Sequence, residues 1–310
     1  MAITYPGLRR NEREFHYLSG VSVAEFDGLY QRFEPQWIAA EHKRLESRER
    51  QRAQGGGGDY RLDLDTRLLL CMVWMRHYLT TGAVGSLFGV SQSTASRTIT
   101  RLLPVLHKVA QASFNPPKEP GARRTHLPPK AVDDFAIVDA SEQSVNRPQD
   151  AEQERLHFSG RQKRPTCKMT LCVNEDGLVR HLSASAPGAI ADITQLRHSG
   201  ILAQIARDTI AVGDAGYAGL QDDLPHHSVA VAHKPERDHP LLPDHRLANR
   251  ELSSIRIKVE NVLAQLKNFR ILSHRFRHKV AIIHSQVVCI LASLHNWRTL
   301  RRLRQAYLRG

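Results

Sequence analysis

Ile210-Ala-Val-Gly-Asp-Ala-Gly-Tyr217 is a short apolar run that ends on a lone carboxylate, Asp214, held between two glycines. The run reads as a buried strand over 209–213, and Asp214 as either a turn residue or an acid presented at the mouth of a sheet. The glycines would let a backbone or a phosphate approach closely. The pattern has a precedent upstream, where 135–139 (FAIVD) is an apolar strand closing on Asp139. Between the two, 166–173 and 178–184 read as strands around the turn Asn174–Gly177, and a helix runs from Asp192 or Ile193 to Ile205. A strand at 228–232 and long helices from about Asn249 and Val280 follow. This order of elements predicts an α/β layer fold with a mixed sheet.

The chain has 310 residues, enough for a sizeable core in one large or two modest domains. Its 44 Lys and Arg against 31 Asp and Glu give a formal charge of +13, which points to a polyanionic partner. Nucleic acid is favoured over a membrane surface because no basic segment exposes a bulky apolar face. The N-terminus lacks the apolar stretch of a signal peptide. The longest apolar segment, 280–294, is interrupted by His284, Ser285 and Gln286, so no membrane span is expected. The four cysteines show no paired spacing and the 17 histidines no ligand set, so a cytoplasmic protein with reduced thiols is expected.

Four regions are expected: 1–58, helical and ending in a glycine hinge; 59–112, a helical DNA-binding domain; 113–134, a proline-rich linker; and 135–310, the α/β domain. In the first, 22–53 has helical periodicity and Gly55–Gly58 breaks it. In the second, 65–79, 83–88 and 91–106 have the layout of a helix-turn-helix, with Gly89 in the turn and Ser91 as N-cap of the last helix. Its first residues, Gln92, Ser93, Thr94, Ser96 and Arg97, would reach base edges in the major groove. A plain three-helix subdomain would have the same spacing.

Taken singly, Asp139 and Asp214 could each begin a turn. A third acid, Glu260, sits beside the buried stripe of the helix at 250–267, with Arg256 four residues before it and Lys267 seven after. Taken alone, an ordinary Arg256–Glu260 pair within the helix is the plainer account of it. Together, three carboxylates at a sheet end suit Mg²⁺ (or Mn²⁺), which takes oxygen ligands and keeps several waters. Two such ions can activate an attacking oxygen and stabilise a leaving one in phosphodiester chemistry. The basic loop Arg161, Lys163 and Arg164 is expected to contact phosphate near the end of the first strand, in preference to being a solvated turn. The basic tail from Arg298 could be DNA-binding or a solvated helix face.

The stretches VDASEQSVNRP, FSGRQKRPTCKMTLCVNEDGLV, PGAIADITQLRHSG, VGDAGYAGL and NRELSSIRIKVENVLAQLKNFRIL resemble the DDE-superfamily transposases of bacterial insertion sequences, in the branch related to Harbinger transposases. The resemblance covers roughly 62–297 and includes the helix-turn-helix. It implies a ribonuclease H-like mixed sheet flanked by helices, preceded by an all-α DNA-binding region. It also implies that Asp139, Asp214 and Glu260 form the catalytic, metal-binding triad. Tyr217 would belong to the GDxGY signature, and Arg256 and Lys267 to the helix presenting the glutamate. Asp192 matches a recurring position after PGxxxD, but could simply cap its helix. Ala140 departs from the glycine that many relatives carry after the first acid.

The expected activity is recognition of terminal inverted repeats, Mg²⁺-dependent cleavage there, and joining of the freed ends to target DNA, by a homodimer or higher oligomer at the nucleoid. The rivals are a transposase-derived DNA-binding protein and a host endonuclease that cuts without strand transfer. Presence of all three acids disfavours the first; a joined-product assay separates the second.

Overall fold

The structure, a computed structural model, describes residues 2–46, 60–114, 133–235, 240–278 and 281–308. The glycine run 55–58 and most of the expected linker lie outside the described residues. The chain divides into two compact units, one of residues 1–113 with 268–274, the other of 114–267 with 275–310. The helical regions on either side of the glycine run therefore cluster together, and they take in a seven-residue segment from far along the chain.

The helical unit contains α1 (Tyr5–Leu8), α2 (Glu12–Ser19), α3 (Val23–Glu46), α4 (Leu64–His77), α5 (Thr81–Leu87) and α6 (Gln92–Phe114). Helix α4 is its centre, with Leu68 to Met75 all buried. Such an all-round apolar helix must be covered on every side. Phe15 and Phe26 pack against Tyr5 on one flank, and Phe269, from the returning segment, lies under the Arg76 guanidinium. Helices α1 and α2 had no distinct signal in the sequence reading, because four and eight residues are too short to show a period.

The second unit is built on a mixed sheet of β1 (Phe135–Ser144), β2 (Phe158–Ser159), β3 (Arg164–Val173), β4 (Val179–Leu182), β5 (Ala186–Pro187), β6 (Ile210–Gly213) and β7 (Val229–Val231). The main order is β2-β3-β1-β6-β7, with β4 and β5 also paired to β3. Strands β1 and β3 are antiparallel, whereas β1–β6 and β6–β7 are parallel. The helices are α7 (Ala151–His157), α8 (Asp192–His198), α9 (Leu220–Asp223), α10 (Pro243–Lys267) and α12 (Ala281–Tyr307); α11 (Arg270–Ser273) belongs to the helical unit. None of the described helices is long and apolar enough to cross a membrane. All four cysteines are buried and free.

One sheet face packs Ala136, Val138 and Cys172 against Leu196 of α8 together with Ile201, Tyr217 and Leu220. Helix α10 packs on β1, β3 and β6, burying Val259, Val262, Leu263 and Leu266. The expected end of the first strand at Asp139 is corrected. Strand β1 continues to Ser144 because β3 offers it an unbroken antiparallel partner, with Asp139 opposite Leu171 and Ser144 opposite Thr166. The expected helix to Ile205 also stops earlier, at His198, and is followed by a 3₁₀ turn at Leu202–Gln204. Gly200, at a left-handed φ of 74°, interrupts it.

Leu196 is fully buried beneath Tyr217. Replacing it with Ala should destabilise this unit by about 2–5 kcal/mol, the usual cost of a leucine-sized core cavity. Denaturant unfolding measures it; an unchanged midpoint would contradict this packing.

Candidate active site

Strand β6 pairs with β1 only from Phe135 to Ile137, and then turns away through Gly213 and Asp214. Asp139 is the next outward position on the same face as Ile137, so it lies where β1 loses its parallel neighbour. Asp214 caps the 3₁₀ turn Ala215–Tyr217, its Oδ1 accepting the Gly216 N–H at 2.7 Å. It is therefore a turn residue and an acid at the sheet mouth at once.

The glycines beside it are not open approaches. A Cβ at Gly213 would lie 3.0 Å from Cβ of Tyr217, which folds back over it. At Gly216 a Cβ would lie 2.9 Å from Asp214 Oδ1 and 3.4 Å from Asp192 Oδ2. Those two carboxylate oxygens are thus no further apart than the two distances laid end to end. The space expected for substrate is occupied by the protein's own side chains.

The Asp139 carboxyl is raised from an ordinary 3.8 to about 6. Burial is the main cause; Arg256 opposes it, and the charges of Asp214 and Glu260 reinforce it. Asp214, Glu260 and Arg256 thus all lie near enough to Asp139 to act on its charge. Glu260 projects from α10 into solvent, with 55% of its side chain exposed, and pairs with Arg256 at 3.6 Å. That pair is the intrahelical contact expected as the plainer account. Arg256 is mostly buried and its Nε lacks a hydrogen-bond partner. Lys267, exposed at the end of α10, is about two turns or ~10 Å beyond Glu260, and no hydrogen bond or ion pair joins it to the acids. Among the described residues no three His, Cys, Asp or Glu side chains are gathered at ligand spacing around one point.

Asp192 does not cap its helix. Ala191 holds the cap position without a side-chain hydrogen bond, and Asp192 instead accepts from Lys168 Nζ at 2.7 Å. Lys168 is 4% exposed and also lies 3.6 Å from Glu142, its cross-strand neighbour on β1. The sequence reading missed Lys168 and Glu142. A signal was present, a lone lysine inside the otherwise apolar and threonine-rich 166–173, but the register that puts Glu142 opposite it depended on β1 running past Asp139.

Tyr217 is fully buried beneath this cluster. Its hydroxyl and that of Thr170 make no well-formed hydrogen bond, although they lie close enough to influence each other. Burial, together with Asp139, Asp192 and Asp214, raises the phenol well above its usual range. In the basic loop, Arg161, Lys163 and Arg164 are all exposed. Arg161 reaches to 3.9 Å from Glu142, and Lys163 takes a left-handed φ of 53°. A cavity of about 540 Å³ walled in part by Val145, Pro187, Phe276 and His284 contains none of the three acids.

In the helical unit, Ser91 caps α6 by accepting from Thr94 N at 3.2 Å, and Gly89 takes a left-handed φ of 66° in the turn before it. Gln92, Ser93, Ser96 and Arg97 are exposed on the first turns, whereas Thr94 is half-buried and its hydroxyl meets Ser91 Oγ. The Arg97 Nε donates to Ser93 O at 3.1 Å, folding the guanidinium along its own helix.

Residues 138–296 match the family described as DDE superfamily endonuclease, and residues 60–112 match the helix-turn-helix of DDE superfamily endonuclease. The chain belongs to the DDE superfamily of endonucleases. It is 24% identical over 267 residues to a protein of Microchaete diplosiphon named as the probable transposase for insertion sequence element IS702, covering 86% of this chain and 88% of that one. It is 27% identical over 241 residues to a protein of Streptomyces albus G named for a transposase of insertion sequence element IS112, covering 77% and 82%. No solved structure matches. Membership makes the chain a metal-dependent nuclease with a DNA-binding helix-turn-helix.

Raising Asp139 to about 6 fixes the sign of a pH effect. The folded protein holds this proton more tightly than the unfolded chain, so ionisation costs stability. The cost is absent below about pH 4, grows between pH 4 and 6, and is complete above. Asp139→Asn should therefore stabilise the cation-free protein at pH 7 by up to about 3 kcal/mol and change little at pH 4. Denaturant unfolding at the two pH values checks this, and an equal difference at both would contradict it.

Proposed function

We propose that the protein is a DNA transposase whose carboxylates Asp139, Asp214 and Glu260 hold the catalytic divalent ions, Mg²⁺ or Mn²⁺ and two in number. The observation that carries this reading is the desolvated carboxyl of Asp139, with Asp214 and Glu260 close enough to raise it further. A desolvated carboxylate near two other acids, balanced in part by Arg256, is an environment that an added cation would relieve. The donors fit such an ion, since all three acids offer hard oxygen ligands and the exposed Glu260 can swing from Arg256. Bound there, Mg²⁺ would polarise the scissile phosphate and activate the attacking oxygen.

The chain's own groups supply the rest. Asp139 and Asp214 are anchored on a strand and a capped turn, which holds them within narrow limits. Arg256 is placed to balance charge at the phosphate once Glu260 turns away. Arg161, Lys163 and Arg164 extend the basic surface along which a DNA backbone would lie, and Gln92, Ser93, Ser96 and Arg97 would read bases in the terminal inverted repeats, with Thr94 holding the helix start. Joining of freed 3′-hydroxyls to target DNA, and a homodimer or larger assembly to pair two ends, complete the proposal.

Asp214→Asn should lose Mg²⁺-dependent cleavage of DNA carrying the element's ends by more than roughly 10²-fold, beyond the loss typical of outer-shell changes, while still binding that DNA. Equal cutting by variant and wild type would refute the assignment. Arg97→Ala should weaken binding by about 1–3 kcal/mol if it reads a base, with a marked preference among sequences, or reduce the salt dependence by about one charge if it meets a phosphate. A gel-shift series over salt and sequence reads both; no change in either removes Arg97 from the interface.

A further inference from the structure

We infer that Lys168, clamped by Glu142, is a positioning residue that holds Asp192 as a fourth carboxylate of the cation site. This rests on reading Asp139 and Asp214 as ion ligands. Asp192 Oδ1 accepts from Lys168 Nζ at 2.7 Å, while its Oδ2 and Asp214 Oδ1 both border the space over Gly216, 3.4 and 2.9 Å from where a Cβ would sit. One oxygen is anchored and the other is presented.

Lys168 is fixed from several sides. Its ammonium is 3.6 Å from Glu142, whose Oε2 also accepts from the Thr166 hydroxyl at 3.1 Å. Its carbonyl accepts from Gln195 Nε2 at 3.2 Å, and Gln195 also reaches Ser183 Oγ at 2.9 Å. Gln195 lies one turn after Asp192 on α8, so the helix bearing Asp192 is tied to β3 twice at the same lysine. Glu142 lies near both Lys168 and the exposed Arg161, so these two carboxylates and two basic groups balance in number; Asp192, with 24% of its side chain exposed, uses only Oδ1 in its ion pair and keeps Oδ2 outside it. Core stability alone would be served as well by apolar residues.

A ligand held by such an outer partner typically loses 10–100-fold in metal affinity when the partner is removed. The test uses the full chain and Mn²⁺ alone, followed by calorimetric titration at neutral pH, with thermal melting in the absence of metal. Lys168→Met leaves the enclosed Glu142 carboxylate without its lysine and could fail to fold, so Glu142→Gln with Lys168→Met removes opposite charges together. The paired variant should melt close to wild type yet bind Mn²⁺ about 10–100-fold more weakly, and Lys168→Arg should recover part of the loss. Asp192→Asn should weaken binding similarly, and adding it to the paired variant should cost little more.

Wild-type Mn²⁺ affinity in the folded paired variant, or in Asp192→Asn, overturns the inference. So do losses that multiply independently. Should the paired variant not fold, Asp192→Asn alone decides. Asp214→Asn is the control. If it loses Mn²⁺ while the Lys168 and Asp192 variants keep it, only this inference falls; if Asp214→Asn also keeps wild-type affinity, the carboxylate reading falls with it.

Discussion

Desolvation of the Asp139 carboxyl, beside Arg256, Asp214 and Glu260 at the point where β6 leaves β1, is the constraint on which the site depends. Asp139 is half-buried mid-strand and Asp214 is locked by its own turn, so neither can relax away from the other. Burial and those neighbours lift Asp139 to about 6. An arrangement with that cost persists in a fold when a bound cation or substrate repays it, as strained charge clusters generally do at functional sites. Glu260, by contrast, is exposed and free to rearrange on α10, which makes it the adjustable member.

The surrounding fold serves that juxtaposition. The long β1–β3 ladder makes a rigid floor, the parallel β1–β6 pair brings Asp139 and Asp214 to neighbouring strands, and α10 lies on the sheet through Val259, Val262 and Leu266. Tyr217, filling the space over Gly213, plugs the core directly below the acids.

Much of this could be read from the sequence. Apolar runs marked the strands, and Ser91 was rightly placed as the cap of the last helix of the helix-turn-helix. What could not be read depended on pairing register and burial. An apolar run ending in Asp139 looks like a strand end, because the polar residues after it (Ser141, Glu142, Gln143) carry no strand signal; yet they are half-buried or buried by partners on β3. Losing that extension hid Glu142 opposite Lys168. Asp192 was open between cap and site because only the tertiary contact to Lys168 Nζ distinguishes them. The glycines of GDAGY were rightly singled out, but for approach of substrate, whereas Tyr217 and Asp192 claim the space.

Anomalous scattering from crystals of the full chain soaked in Mn²⁺ tests the central claim most directly. The account predicts signal beside the Asp139 and Asp214 carboxylates, with Glu260 turned from Arg256 toward it. Full Mn²⁺ occupancy elsewhere on the chain, with none beside Asp139 and Asp214 in protein competent to cut DNA, would contradict it.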